Sequence, residues 1–220
     1  MTIDILVGRQ PIFDSDLRVI AYELLFRGHH SENTAEFEDA DLATDQVIEN
    51  TFRGIGLRNL VGDLPAFINL TRRALFGTDA LPLSKDEVVL EVLEDIEINR
   101  ELMERLRALS REGFRIALDD FACDPGHDEL VSIADIVKID VHMFDSETLA
   151  RHVSNLRRHD VKLLAEKIES PEQMALCQQL GFDYFQGYLL GEPTTVIRQR
   201  VSSQDPAKDD PAEPAAPDTH

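Results

Sequence analysis

Between residues 19 and 189 the chain alternates short, nearly unbroken apolar runs with helix-length amphipathic ones, and few architectures accommodate that order. The strand candidates are 19–25, 66–70, 88–93, 115–119, 136–141, 161–166 and 184–189. Several are apolar at almost every position, as strands covered on both faces are. The intervening helices are equally readable. In 99–112, Leu102, Met103, Leu106 and Leu109 form one stripe, closed by Gly113. Leu149, Val153 and Leu156 do the same within 145–159. For 171–180, Ser170 is a natural N-cap, Pro171 suits the first turn, Gln173 completes a capping box and Gly181 follows the end. Residues 5–12 and 18–25 flank Asp14-Ser15-Asp16 and predict a hairpin. Repeated strand–helix units require a parallel sheet, either a closed barrel or an open doubly wound sheet. Neither GxGxxG nor GxxxxGK[ST] occurs, so the phosphate loop that would favour the open sheet is missing.

From Ser202 onward the pattern collapses into SSQDPAKDDPAEPAAPDTH, which has no large apolar residue and cannot bury a core. The expected organisation is one barrel-type domain over 1–200 and an acidic, disordered tail over 201–220, a tail or a linker, through which a protein partner could bind. The 220 residues carry 22 basic and 42 acidic side chains, a net charge of −20. Such a surface argues against sequence-independent binding to nucleic-acid polymers. A soluble acidic surface and adaptation to a saline cytoplasm would both produce it. No apolar run approaches the roughly 20 residues that span a bilayer, and no secretory signal is visible, so a cytoplasmic location is expected. Cys123 and Cys177 form no CxxC pair and read as buried reduced thiols.

The strand ends are consistently polar. They present Glu23, Asn69, Glu91 with Glu94, Asp119 with Asp120, Lys138 with Asp140, Glu166 with Glu169, and Gln186. After a first step of 46 residues, the spacings from Asn69 onward are 22, 28, 19, 28 and 20, about one strand–helix unit each. In a barrel these ends converge on one face, where active sites are built. Several carboxylates around one cavity cannot all stay ionised without cations. An oxygen-rich set with one amide and no Cys or His suits Mg²⁺ or Mn²⁺ better than zinc. Adjacent aspartates can serve two ions, and two ions roughly 4 Å apart clamp the attacking and leaving oxygens of a phosphodiester. Lys138, inside IVKIDV, is hard to explain as an unpaired charge in a buried strand. His127-Asp128 and His159-Asp160 are HD dipeptides, but without further His ligands they read as solvated surface pairs.

These residues resemble the EAL-domain cyclic di-GMP phosphodiesterases over residues 5 to about 195. The family's YEALLR motif appears as Tyr22-Glu23-Leu24-Leu25-Phe26-Arg27, and its Asn-bearing strand as FINL with Asn69. Its paired glutamates match Glu91-Val92-Leu93-Glu94, and DDFG matches Asp119-Asp120-Phe121-Ala122. KID stands intact at Lys138-Ile139-Asp140, AEGVE appears as Ala165-Glu166-Lys167-Ile168-Glu169, and QGY as Gln186-Gly187-Tyr188. GRQPIFD, YELLFR and YFQGY most resemble the branch in which such a domain precedes an HDOD domain; here the acidic tail stands in that place.

The resemblance implies a modified TIM-type β/α barrel with one antiparallel strand, and metal-dependent hydrolysis of cyclic di-GMP to linear 5′-pGpG with Mg²⁺ or Mn²⁺ at a two-metal site. It implies that Glu23, Asn69, Glu91 and Asp119 hold one metal, with Asp119 bridging to a second served by Asp120 and Glu166. Lys138 would position or deprotonate the attacking water. Arg27 would contact a substrate phosphate, with Leu25 also on the substrate. Glu94 would brace the loop after Asp120, and Glu169 and Gln186 would support the site. That loop departs from the family's DDFGTG, reading Ala122-Cys123-Asp124-Pro125-Gly126 after Phe121. Ala122 loses glycine's backbone freedom and Pro125 stiffens the turn. Because the family couples this loop to dimerisation and to the second metal, a homodimer is a further expectation. A catalytically weak domain acting as a cyclic di-GMP receptor or protein-interaction module is the alternative.

Overall fold

The structure is a computed structural model, and it describes residues 2–28, 56–70, 75–76, 83–93, 96–119 and 128–202, with the backbone alone for 2–6, 26–28 and 196–202. Among the described residues there are nine strands: β1 (Thr2–Asp14), β2 (Val19–Gly28), β3 (Ala66–Leu70), β4 (Val88–Val92), β5 (Arg115–Leu118), β6 (Ile136–Asp140), β7 (Lys162–Glu166), β8 (Tyr184–Phe185) and β9 (Thr194–Ser202). The described helices are α1 (Leu57–Val61), α2 (Arg100–Glu112), α3 (Asp128–Val131), α4 (Ser146–Leu156) and α5 (Pro171–Leu180).

The strands from β2 to β8 pair in parallel, in chain order. Strand β1 closes the ring, running antiparallel to β2 on one side and to β8 on the other. The result is a closed eight-stranded mixed barrel wrapped by helices, so the choice left open by periodicity goes to the barrel. The expected hairpin joins β1 to β2. Its turn is held by Asp14 Oδ1, which accepts from the backbone N–H groups of Asp16 and Arg18, both at 2.9 Å.

Period-2 alternation divides the strand residues between two cores. Pointing into the barrel are Ile12, Ala21, Phe67, Val89, Ala117, Ile136 and Leu164, with Tyr184 against them, and these form a small interior cluster. Their neighbours Leu24, Ile68, Leu90, Leu118, Val137, Ala165 and Phe185 point outward and join the large cluster beneath the helices. The helix stripes meet them there: Leu102, Leu106 and Leu109 of α2, and Leu149, Val153 and Leu156 of α4, are all buried. Caps fix the helix ends. Asn99 Oδ1 accepts from the Leu102 N–H, Asp145 Oδ1 from the Thr148 N–H, and Ser170 and Gln173 form a full capping box. Glycines 113 and 181 end α2 and α5 in left-handed conformation. Cys177 is a buried free thiol whose pKa burial pushes up to about 11; Cys123 lies outside the described residues.

The larger differences from expectation are these. Helix α4 stops at Leu156 rather than 159, in a turn closed by the His159 N–H to the Leu156 carbonyl. Strand β9 has no counterpart among the strand candidates; it lies outside the ring, antiparallel to the first half of β1. The 184–189 run is a strand only at Tyr184 and Phe185. Beyond it the chain wraps around Ile168, whose N–H bonds to the Gln186 carbonyl while its own carbonyl accepts from the Leu189 N–H. Gly187 makes this possible, with φ of 156° and its Cα against the Ile168 backbone. Residues 203–220, the bulk of the expected tail, lie outside the described residues. Among the described residues no helix is long and apolar enough to cross a membrane.

A Cβ at residue 187 would collide with the backbone N and O of Ile168, neither of which has a side-chain rotation to offer. Gly187→Ala is therefore expected to cost about 3 kcal/mol or more, the upper range for overpacking a closed contact. Chemical denaturation of the variant beside wild type checks this; a loss under about 1 kcal/mol, typical of a surface site, would contradict the contact.

Candidate active site

Two residues beyond each inward apolar residue, the barrel lining turns polar. Ala21 is followed by Glu23, Phe67 by Asn69, Val89 by Glu91, Ala117 by Asp119, Ile136 by Lys138, Leu164 by Glu166 and Tyr184 by Gln186. The polar set is thus a second layer stacked on the apolar one at the C-terminal ends of the parallel strands. Parallel register aligns it, with Asn69 opposite Glu91. Strand β1 runs the other way, so its contribution is Gln10, two residues before Ile12; Gln10 is nearly buried and its Nε2 donates to the Gly191 carbonyl at 3.0 Å.

Lys138 stands at the centre and is 1% exposed. Its Nζ is 2.8 Å from Glu91 Oε1, 2.8 Å from Asp119 Oδ1, 3.0 Å from Glu166 Oε1 and 3.7 Å from Glu23 Oε1. Four strands thus deliver carboxylates to an ammonium from a fifth. Gln186 Nε2 donates to Glu23 Oε2 at 2.7 Å, tying β8 into the same layer. Above the layer lies a cavity of about 400 Å³, lined by Glu23, Asp119, Lys138, Glu166, Gln186 and Gln10, with Leu25, Lys167, Glu169, Gly187, Tyr188 and Pro193 toward its mouth.

The charges do not balance. Burial works against the charge on Lys138, but attraction from Glu166, Glu91, Glu23 and Asp119 outweighs it and holds the ammonium's pKa well above that of an ordinary lysine. Burial raises the Glu91 carboxyl to about 8 despite Lys138, with repulsion from Glu23 and Asp119 adding to the rise. Burial likewise pushes Glu166 well up, against Lys138 and with Asp119, Glu23 and Glu91. Several buried oxygens also lack a well-aligned donor among the described residues: Asn69 Oδ1, both oxygens of Glu91 and Gln186 Oε1. Glu91 Oε1 has the Lys138 ammonium at 2.8 Å as its charged neighbour. Every one of these orphans is an acceptor. Among the described residues the acids converge on Lys138 and do not form a ready-made metal cage. The donor chemistry nonetheless fits hard cations: carboxylate and amide oxygens, surplus negative charge and buried acceptors with nothing to accept.

Several of the expected residues lie together: Glu23, Glu91, Asp119 and Glu166 each approach Lys138, Asn69 and Gln186 share their layer, and Leu25 and Glu169 reach the cavity. Glu94 and Asp120 lie outside the described residues, and Arg27 is described only as backbone in β2. Asp140 is engaged elsewhere; its Oδ1 accepts from the His142 N–H at 2.8 Å and its Oδ2 meets Lys167. Sequence reasoning missed Gln10 and Lys167. The first was findable from the hairpin, by counting back along the reversed strand. Of the HD dipeptides, His159 and Asp128 approach to 3.5 Å with Asp128 largely exposed, and His127 lies outside the described residues.

The raised Glu91 pKa has a defined effect on metal-free stability. The folded state holds this proton more tightly than the unfolded chain, whose value is near 4.5. The penalty is absent below about pH 4.5, grows as pH rises and is complete above about pH 8. Glu91→Gln fixes the neutral form. In EDTA, it should lose at least about 1.4 kcal/mol less than wild type between pH 5 and pH 8, the worth of one pKa unit. Urea unfolding at both pH values measures this; parallel losses would contradict the assignment.

A model of the EAL domain family matches residues 8–193. Protein YuxH of Bacillus subtilis, described as uncharacterized, is 35% identical over 207 residues, 90% of this chain and 50% of its own. Cyclic di-GMP phosphodiesterase CdgJ of Vibrio cholerae is 31% identical over 199 residues, 90% of this chain and 46% of its own. This chain spans about half the length of these curated relatives. The Bacillus subtilis YkuI protein, with an EAL domain and solved with substrate c-di-GMP and calcium, superposes with a TM-score of 0.71 at 24% identity, over 89% of this chain and 57% of that one. Klebsiella pneumoniae BlrP1, solved with manganese and c-di-GMP, gives 0.68 at 22% identity, over 90% and 59%. These likenesses agree with the barrel on its fold, and the family match takes in β2 to β8 and the second half of β1: this chain belongs to the EAL domain family.

Proposed function

We propose that this domain is a metal-dependent phosphodiesterase that hydrolyses cyclic di-GMP to linear 5′-pGpG in the cytoplasm. The observation that carries the reading is the buried Lys138 ammonium among four carboxylates, beneath a cavity on the active face of an EAL barrel. The naming of CdgJ as a cyclic di-GMP phosphodiesterase, and the c-di-GMP bound to YkuI and BlrP1, support the substrate. The calcium and manganese of those complexes support a divalent cofactor.

Glu23, Asn69, Glu91 and Asp119 would hold one Mg²⁺ or Mn²⁺, and Asp119, Asp120 and Glu166 a second. When bound, such ions neutralise the phosphodiester and acidify a water. The chain's own residues supply the rest. Lys138, kept charged by its neighbours, orients the attacking water by donating a hydrogen bond. Gln186 steadies Glu23. Glu169 and Leu25 border the substrate, Arg27 serves a phosphate and Glu94 braces the loop after Asp120. The water oxygen attacks phosphorus, the bond from phosphorus to the ribose 3′ oxygen breaks, and that oxygen leaves with a proton. One ring opening yields pGpG with its new 5′-phosphate.

A receptor without turnover is the second reading. It is favoured by the Ala122-Cys123-Asp124-Pro125 departure next to Asp120. One paired experiment separates the two. Purified protein with cyclic di-GMP and Mn²⁺ should release pGpG, and EDTA should stop it. Lys138→Ala should lower the initial rate at least about 10²-fold, the low end for losing a positioned proton-handling group. Its dissociation constant in Ca²⁺ should stay within about tenfold of wild type. Wild type that binds without releasing pGpG selects the receptor; release that survives complete metal removal ends the proposed mechanism.

A further inference from the structure

Strand β7 ends at Glu166, and the next residue leaves it in an unusual way. Lys167 has φ of 57°, a left-handed backbone that costs a side-chain-bearing residue about 1 kcal/mol or more. Strained conformers of this kind persist where the surroundings over-determine them, and they cluster at functional sites. Two contacts hold this one. The Lys167 carbonyl pairs with His142 Nε2 at 2.8 Å, and the Lys167 ammonium stands 2.5 Å from Asp140 Oδ2. Asp140 is itself fixed, since its other oxygen accepts from the His142 N–H.

The strained turn delivers a cation to the rim of an acidic cavity. Among the described residues lining that cavity, two carry positive charge. Lys138 is at the floor, 1% exposed and surrounded by carboxylates. Lys167 is at the mouth, with its side chain 54% exposed. The same walls carry the acids Glu23, Asp119 and Glu169, which disfavour an arriving anion. We infer that Lys167 is a substrate-phosphate ligand, which moves its ammonium from Asp140 to a non-bridging oxygen of the incoming phosphodiester. Only the lysine half of the pair is exposed, while Asp140 is buried and keeps its bond from the His142 N–H when the ammonium leaves; a phosphate oxygen offers the ammonium an equivalent charge-assisted bond. A four-carbon stem gives the ammonium the freedom to make the move. This role rests on the phosphodiesterase reading above.

The test compares wild type with Lys167→Gln, Lys167→Gly, Lys167→Arg and Asp140→Asn. Cyclic di-GMP affinity is read by calorimetry in Ca²⁺ at low and high salt, KM and kcat in Mn²⁺, and folding by thermal melts. Lys167→Gln and Lys167→Gly should each weaken binding and raise KM about tenfold, the equivalent of 1.4 kcal/mol. Their kcat should stay within about threefold of wild type, as loss of uniform binding requires. Their affinity should also depend less on salt. Lys167→Gly suits the left-handed backbone, so its melting temperature should not fall, and its weakened binding cannot be charged to misfolding. Lys167→Arg should keep most of the affinity, and Asp140→Asn, which releases the ammonium, should bind at least as tightly as wild type. If Lys167→Gly binds like wild type, the inference is overturned. It is also overturned if Asp140→Asn weakens binding as much as Lys167→Gln, because the pair is then only a latch on the turn. Wild type that fails to bind cyclic di-GMP overturns the function reading and this role with it, an outcome visible in the control before any variant is compared.

Discussion

One buried ammonium organises the upper half of this barrel. Lys138 reaches the centre from β6, and the carboxylates of β2, β4, β5 and β7 close on it. Burying a lone lysine or a lone glutamate at this depth would cost several kcal/mol, so each makes the others tolerable. The compensation is incomplete, since one positive charge faces four acids and burial raises the carboxyls of Glu91 and Glu166 above the ordinary range. The same deficit that lowers metal-free stability is one that a bound divalent cation would relieve. Stability and chemistry pull in opposite directions at one set of atoms, a common condition of active sites.

The apolar layer below makes that imbalance bearable. Phe67, Val89, Ala117, Ile136 and Leu164 fill the barrel one pleat down, and their outward neighbours are clamped under the helices. The polar layer therefore rests on a floor that does not depend on it. A change of charge above need not loosen the packing beneath, and three of the acids around Lys138, Glu23, Glu91 and Glu166, sit on strands, with Asp119 one residue beyond β5.

Much of this could be read before any coordinates. Lys138 inside an apolar run, and glutamates at positions 23, 91 and 166 ending others, announced a layer because parallel strands put equivalent residues at equivalent heights. The capping box at Ser170 and the stripe of α2 were legible for the same local reasons. What escaped was non-local. Gln10 belongs to the layer only because β1 runs backwards, so its place is counted in the opposite sense from its seven neighbours. Strand β9 takes the stretch of β1's edge that β8 leaves unpaired, Thr2 to Arg9, and only the closed ring sets which stretch that is. The short β8 and the left-handed Lys167 both follow from the chain folding over Ile168 and beside Asp140, contacts that no window of sequence contains.

The pairing of β1 with β9 also decides how the domain would respond to a pull. Thr2 lies opposite Ser202, and the ladder runs back from there to Arg9 opposite Thr194. Tension applied between these two points would meet the hydrogen bonds one pair at a time, as a zipper opens, and not all together as in shear. Strand β9 lies outside the ring, so it would peel away first, down to the segment that leads back to Gly191 and its bond from Gln10. The last pair to open would thus lie at the rim of the cavity, and a force borne along this ribbon would reach the mouth of the site before it reached the barrel.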